Sequence, residues 1–328
     1  MQSKQEIAAD YIRRFPRSAT KTLARLAYKE APELWLSVES CRDVFRYVRG
    51  NHGKRTRKFS TMPRPNGKSG NPFSDIPPGM VEIDDFKPYV INDPGRYLIL
   101  SDIHIPYHDR DALMTALESV KDPRGIILNG DICDHFALSD WEKDPRERDF
   151  PHEIAVTKKI LGIIRKAFPK ARMVYKLGNH EERLERYMQL KAPELLGIEA
   201  LEFQNLFDTD SFHTEVVKDK RPIKLGKLNV IHGHEYRFSI SNPVNPARGL
   251  FLRSKALAMC GHFHQSSHHS ENTLDDKQMV CWSTGCLSDL HPRWMVLNKW
   301  NLGFATVDID EKGAFTVENR RIIEGKIY

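Results

Sequence analysis

The sequence predicts an α/β layered fold preceded by a small, basic, all-helical module. Three observations support this. Short apolar runs alternate with amphipathic helical patterns from about residue 95 onward, and five of those runs end in a short cluster containing Asp, His or Asn. The excess positive charge is confined to the N-terminal part. Residues 1–60 hold 14 Lys and Arg against 6 Asp and Glu, whereas the remainder holds 36 against 38. A locally basic module on a near-neutral body suggests a polyanionic partner, nucleic acid first.

The first 50 residues predict three helices. Residues 5–14 place Ile7, Ala8, Tyr11 and Ile12 on one face until Phe15-Pro16 interrupts the pattern. Residues 19–30 present Leu23, Leu26 and Ala27 and stop at Ala31-Pro32, and residues 38–48 present Val38, Cys41, Val44, Phe45 and Val48 before Gly50. Three such helices with short turns, covering 1–50, look like a helix-turn-helix module. On that expectation the third helix shows Arg42, Arg46 and Arg49 to nucleic acid, with Arg13, Arg14 and Lys21 near phosphates. A simple packing or dimerisation appendage is the alternative. Residues 51–92, rich in Gly, Pro, Ser, Lys and Arg, lack apolar periodicity and are expected to be a linker. Gly67-Lys68-Ser69 within it is no phosphate loop, because no strand and no first glycine precede it at the needed spacing.

From 93 to 328 a single layered domain is expected. Strands at 97–100, 125–128, 173–177, 228–231 and 256–260 lead into Asp102 and His104, Asp131, Asn179, His232, and His262 with His264, respectively. Buried strands that end in polar loops would bring these side chains to one end of a sheet. Helical patterns at 109–119, 153–167 and 181–190 alternate with them, and 301–310 and 315–323 alternate well enough to be closing strands. Mixed oxygen and nitrogen donors suit a first-row divalent metal. Manganese is the first expectation, with iron, zinc and nickel as alternatives.

The ordered blocks Asp102-Ile103-His104, Gly130-Asp131-Ile132-Cys133-Asp134, Gly178-Asn179-His180-Glu181, His232 and Gly261-His262-Phe263-His264 resemble the calcineurin-like metallophosphoesterase superfamily, with its pattern D-x-H, G-D-x-x-D, G-N-H-D/E, a lone His and G-H-x-H. The resemblance implies a four-layer α-β-β-α sandwich and a dinuclear centre. Carried over by position, Asp102, His104, Asp131 and His264 would hold one ion, and Asp131, Asn179, His232 and His262 the other, with Asp131 the bridge. It also implies that His180 protonates or stabilises the leaving oxygen, oriented by Asp134. Asp102 with His104, and His262 with His264, would point to one side as alternate residues of an extended chain. Asn179, His234 and Arg183 are candidate substrate contacts. Arg183 could equally sit in a salt-bridged helical face, and His234 could equally back up a metal ligand. Trp282, Trp294 and Trp300 read as packing aromatics, with base stacking the weaker alternative.

Two divalent ions would polarise phosphoryl oxygens and lower the pKa of a shared water. The expected activity is phosphodiester hydrolysis on nucleic acid or a nucleotide. Alternatives are a phosphomonoesterase for small molecules or proteins, and a non-catalytic binding module. The run Gly130-Asp131-Ile132-Cys133-Asp134-His135-Phe136 lacks the arginine that protein Ser/Thr phosphatases place after this block. No apolar stretch is long enough to span a bilayer and the opening Met-Gln-Ser-Lys-Gln-Glu has no signal core, so a cytoplasmic protein without membrane contact is expected. Five cysteines without a C-x-x-C pair predict buried reduced thiols.

Overall fold

The computed structural model describes residues 3–50, 86–140, 149–236 and 244–328, together with Ile76, Pro77, Gly79 and Arg146. The chain divides into two compact units, Met1–Val81 and Glu82–Tyr328.

The first unit contains α1 (Lys4–Arg14), α2 (Thr20–Glu30) and α3 (Val38–Val48), with a single 3-10 turn at Pro32–Leu34 between the last two. Local chemistry sets the helix starts. The Ser3 hydroxyl accepts from Glu6 N while the Glu6 carboxylate accepts from Ser3 N, and Ser37 and Ser40 form the same reciprocal cap on α3. Ala8, Ile12, Leu23, Ala24, Ala27, Trp35, Cys41 and Phe45 fill the core. Leu26, expected inside, is instead 40% exposed. At about 100° per residue it falls off the stripe set by Leu23, Ala24 and Ala27.

The second unit runs β1 (Tyr89–Ile91), β2 (Gly95–Leu100), α4 (Arg110–Glu118), β3 (Gly125–Asn129), α5 (Phe150–Ala167), β4 (Arg172–Lys176) and α6 (Glu182–Lys191). It continues with α7 (Phe203–Leu206), β5 (Thr214–Val217), β6 (Ile223–Leu225), β7 (Leu228–Val230), α8 (Pro246–Ser254) and β8 (Ala258–Cys260). The last strands are β9 (Ser267–Asn272), β10 (Gln278–Ser283), β11 (Gly303–Ile309), β12 (Phe315–Ile323) and β13 (Lys326–Ile327). Helix α5 starts earlier than its apolar period suggests, because Asp149 caps it and Pro151 is tolerated in the first turn.

These strands form two mixed sheets, ordered β13-β12-β11-β2-β3-β4-β5 and β1-β6-β7-β8-β10-β9. Alternation along the central strands explains the layering. Leu98, Leu100, Ile126 and Leu128 face α4 and α5, whereas Tyr97, Ile99 and Ile127 meet Ile223, Leu228, Val230 and Met259 of the other sheet. Ala247 and Leu250 of α8 cover the far side through Ala258 and Cys281. The result is the expected α-β-β-α sandwich. Most of the expected linker, 51–92, lies outside the described residues, but its end is no linker. Tyr89, Val90 and Ile91 pair in parallel with Ile223, Lys224 and Leu225. All five cysteines are buried and free. Among the described residues no helix is long and apolar enough to cross a membrane.

Candidate metal centre

The five clusters follow β2, β3, β4, β7 and β8. Strands β2, β3 and β4 are parallel neighbours, so their three loops leave the seven-stranded sheet at one edge. Strands β7 and β8 are parallel in the six-stranded sheet. The expectation that one sheet assembles the site is therefore corrected: two sheets contribute, and their packing brings the loops together.

The local geometry also differs from the extended segments expected. Asp102, His104, Asp131, His262 and His264 all have positive φ, between 52° and 68°. Left-handed backbone is costly for residues with a Cβ, and it clusters where a surrounding structure enforces it. Asp102 with His104, and His262 with His264, thus converge through left-handed turns and not through strand pleat. The Asp102 carboxylate helps hold the facing loop by accepting from His262 N at 2.9 Å. Gly261 is required there, since a Cβ would overlap Ser101 Oγ and Asp102 Oδ2.

Candidate ligand atoms converge in three groups, Asp102, His104 and His264; Asp131, His232 and His262; and, sharing His104 with the first, His104, Asp134 and His180; in each they lie within 4.8 Å of one another. In the first, His264 Nε2 lies 3.3 Å from Asp102 Oδ1 and 3.1 Å from His104 Nε2. In the second, His232 Nε2 lies 3.2 Å from Asp131 Oδ2. Two of the far nitrogens are engaged. His232 Nδ1 donates to Asn129 O and His104 Nδ1 to Asp134 Oδ1, both at 2.8 Å, which turns each Nε2 inward. Asn179 Oδ1 and His262 Nδ1 are buried without a hydrogen-bond partner. Buried, unsatisfied, convergent oxygen and nitrogen donors fit divalent cations.

Burial alone would raise the Asp102 pKa, but His264 and His232 outweigh it and hold it at about 2. Burial opposes charge on His232, yet Asp131 and Asp102 lift it to about 10. Burial together with the His232 charge drives His262 down to about 3.

Beside the first group, His180 Nδ1 sits 3.0 Å from Asp134 Oδ1 and 2.8 Å from Asp134 O. Arg183 donates to Asp134 O at 2.9 Å and reaches His180 Nε2 at 2.9 Å. A guanidinium has only donors, so this contact selects the neutral imidazole with its proton on Nδ1. Burial favours the same state. Asp131 and Asp134 pull the other way and raise the His180 pKa. His180 is thus held between a cation and two carboxylates.

Other candidate residues are placed as follows. His234 Nε2 lies 3.1 Å from Glu182 Oε1. Asn179, Arg183, Arg186, Tyr187 and Lys220 line a cavity of about 940 Å³. Trp282 packs edge-on against Phe315, as expected of a packing aromatic. In the N-terminal unit, Arg42 pairs with Glu39 at 3.0 Å and Arg46 with Asp43 at 3.2 Å. Arg49 donates to Ser18 O at 2.7 Å and to Thr20 Oγ1 at 3.0 Å, tying α3 to the start of α2.

Sequence reasoning passed over three supports. The buried Glu181 carboxylate accepts from Gly178 N, Asp131 N, Ile132 N and Cys133 N and from the Tyr175 hydroxyl, at 2.7 to 3.2 Å. Glu235 accepts from His232 N and Gly233 N and pairs at 2.8 Å with the fully buried Lys176. His135, also buried, has Nδ1 2.9 Å from His180 O. Glu181 was visible as the last letter of its motif, whereas nothing local marks Lys176 as a partner of Glu235.

The family model described as calcineurin-like phosphoesterase matches residues 95–296. The chain belongs to this family. As a calcineurin-like phosphoesterase it is a metal-dependent phosphoester hydrolase, and the donor groups above could hold its divalent metal. Among solved structures it is similar to a Vps29 mutant from Entamoeba histolytica, with 11% identity, 71% of this chain and 96% of that chain covered, and a TM-score of 0.38. It is similar to a predicted phosphoesterase from Streptococcus pneumoniae at 15% identity, 72% and 97% coverage and a TM-score of 0.31. A protein serine/threonine phosphatase from Saccharomyces cerevisiae shares 12% identity over 73% of this chain and 84% of its own, with a TM-score of 0.32. No curated protein sequence matches this calcineurin-like phosphoesterase.

Proposed function

We propose that the protein is a two-metal phosphodiesterase acting on nucleic acid or a nucleotide. The observation that supports two ions is that Asp102, His104 and His264, and Asp131, His232 and His262, are donor groups with no residue in common, with Asn179 Oδ1 buried and unpartnered in addition; the third group, His104, Asp134 and His180, shares His104 with the first and is read as serving the leaving group. Asp102, His104, Asp131 and His264 would hold one ion, and Asp131, Asn179, His232 and His262 the other, with manganese first among the candidates. Bound there, two divalent ions supply polarisation of the phosphoryl oxygens and an acidified water.

The chain's own residues handle the leaving group. Asp134 fixes the Nδ1 proton of His180, so once Arg183 withdraws Nε2 takes a proton from solvent, the charge being favoured by Asp131 and Asp134, and passes that proton to the departing oxygen. Arg183 yields Nε2 as substrate arrives and its guanidinium turns to a phosphoryl oxygen. His234 reaches the phosphate only by giving up Glu182.

The basic N-terminal unit supports a polyanionic substrate. Arg42 and Arg46 are matched by carboxylates of their own helix. Lys21, Arg25 and Lys29, spaced four residues apart on α2, are exposed and have no acidic partner among the described residues. This stripe is the face we assign to phosphates, ahead of the third helix. Metal analysis with parallel assays on bis-p-nitrophenyl phosphate, p-nitrophenyl phosphate and labelled DNA and RNA tests the reading. Two equivalents of metal and a preference for diesters support it. Hydrolysis of the monoester alone would replace it with a phosphomonoesterase.

A further inference from the structure

The rim of the metal centre carries an aromatic pair that the proposed reaction leaves unused. Trp300 is half-buried and its ring lies 4.2 Å from that of His264, centroid to centroid, with a 56° tilt. Trp294 packs edge-on against Trp300 at 5.5 Å and 64°, and is itself 67% exposed. Leu297, 95% exposed, and Val296, 53% exposed, belong to the same loop. Apolar groups displayed in a contiguous patch mark a place where something binds.

The loop that presents them is internally fixed. Asn298 donates to Leu290 O at 2.6 Å and to Met295 O at 2.8 Å, while its Oδ1 accepts from Trp300 N at 2.9 Å. Asn301 N donates to His264 O at 2.9 Å, which joins the loop to the ligand cluster. A loop backbone held in this way loses little entropy when a partner binds.

We propose that Trp294 and Trp300 form a stacking surface for the nucleobase next to the scissile phosphate, so that the substrate class is a nucleoside phosphodiester. The inference rests on the phosphodiesterase reading above. Its basis is distance: an occupant of Trp300 lies one ring away from His264, a spacing that suits a base joined to the phosphoryl group through its sugar. A planar base has a π face for the indole whatever its identity, so the surface selects for a base without selecting which base.

The test compares the p-nitrophenyl ester of thymidine 5′-phosphate with methyl p-nitrophenyl phosphate, which share a leaving group and differ in the nucleoside. In manganese-loaded full-length protein, Trp294→Ala should lower kcat/KM for the nucleotide ester by about 5- to 150-fold, the worth of one stacked base, chiefly through KM. The methyl ester should be little affected, and Trp294→Phe should restore most of the difference. An unchanged ratio between the two esters in both Trp294→Ala and Trp300→Ala overturns the stacking surface while leaving the phosphodiesterase intact. A dimer-to-monomer shift in sedimentation with that unchanged ratio would assign the patch to a second copy of the chain instead. Failure of the wild-type protein to hydrolyse either ester would instead remove the phosphodiesterase reading itself.

Discussion

Replacing Glu181 by Gln tests whether one buried carboxylate holds the two central loops together. Its Oε2 accepts from Gly178 N at 2.7 Å and Asp131 N at 3.0 Å, while Oε1 accepts from Ile132 N at 2.8 Å, Cys133 N at 3.2 Å and the Tyr175 hydroxyl at 2.8 Å. An amide has a single acceptor oxygen. Whichever way the glutamine turns, its NH₂ meets at least two backbone N–H donors, which then stay buried and unpaired. Hydrogen bonds to a charged group contribute about 1.5–3 kcal/mol each, so the variant should lose about 3–6 kcal/mol. That is a large share of the ~5–15 kcal/mol typical of a folded domain. Asp131, left-handed at φ 53°, should relax once its amide is released, and metal affinity should fall with it. Urea unfolding, metal titration by calorimetry and hydrogen exchange at the amides of residues 131–133 measure the three consequences. A loss below about 1 kcal/mol with unchanged metal stoichiometry and amide protection would refute the bracing role of Glu181.

Three further outcomes are expected. His180→Asn should keep its metal yet turn over about 10²- to 10⁴-fold more slowly, and the deficit should shrink for esters with better leaving groups; loss of metal in this variant would mean that His180 is a ligand. Glu235 is driven down by Lys176, against burial, from 4.5 to about 2. Its contribution, on the order of 3 kcal/mol, is present above about pH 4.5 and lost as pH falls towards 2, so metal-free Glu235→Gln should be less stable than wild type at pH 7 and converge on it in acid; a pH-independent gap counts against the pair. Reversing Lys21, Arg25 and Lys29 to Glu should reduce the slope of log affinity against log salt for duplex DNA by about 0.9 for each phosphate the variant no longer neutralises, whereas an unchanged slope would clear α2 of that role.

The sequence alone determined the local facts. Helix ends in the N-terminal unit followed from prolines, Gly50 and periodicity, and α3 matches its expected bounds, Val38–Val48, whereas periodicity placed the start of α5 late. The apolar runs before each cluster located five strands of the site, and the donor types by themselves pointed to a divalent metal. Strands without such a signal carry no local mark. Strand β9, Ser-His-His-Ser-Glu-Asn, lies at a sheet edge with largely exposed side chains, so hydrogen bonding to β10 makes it a strand and apolar alternation does not. Tertiary structure alone decided that the clusters come from two sheets. It also decided that five of the seven candidate ligands sit on left-handed backbone, and that Glu181 and the Lys176–Glu235 pair brace the loops. The physical reason is range. Periodicity and capping act over a few residues and leave a trace in any short window, whereas a carboxylate that satisfies amides 48 to 50 residues away is specified only once the sheets have packed.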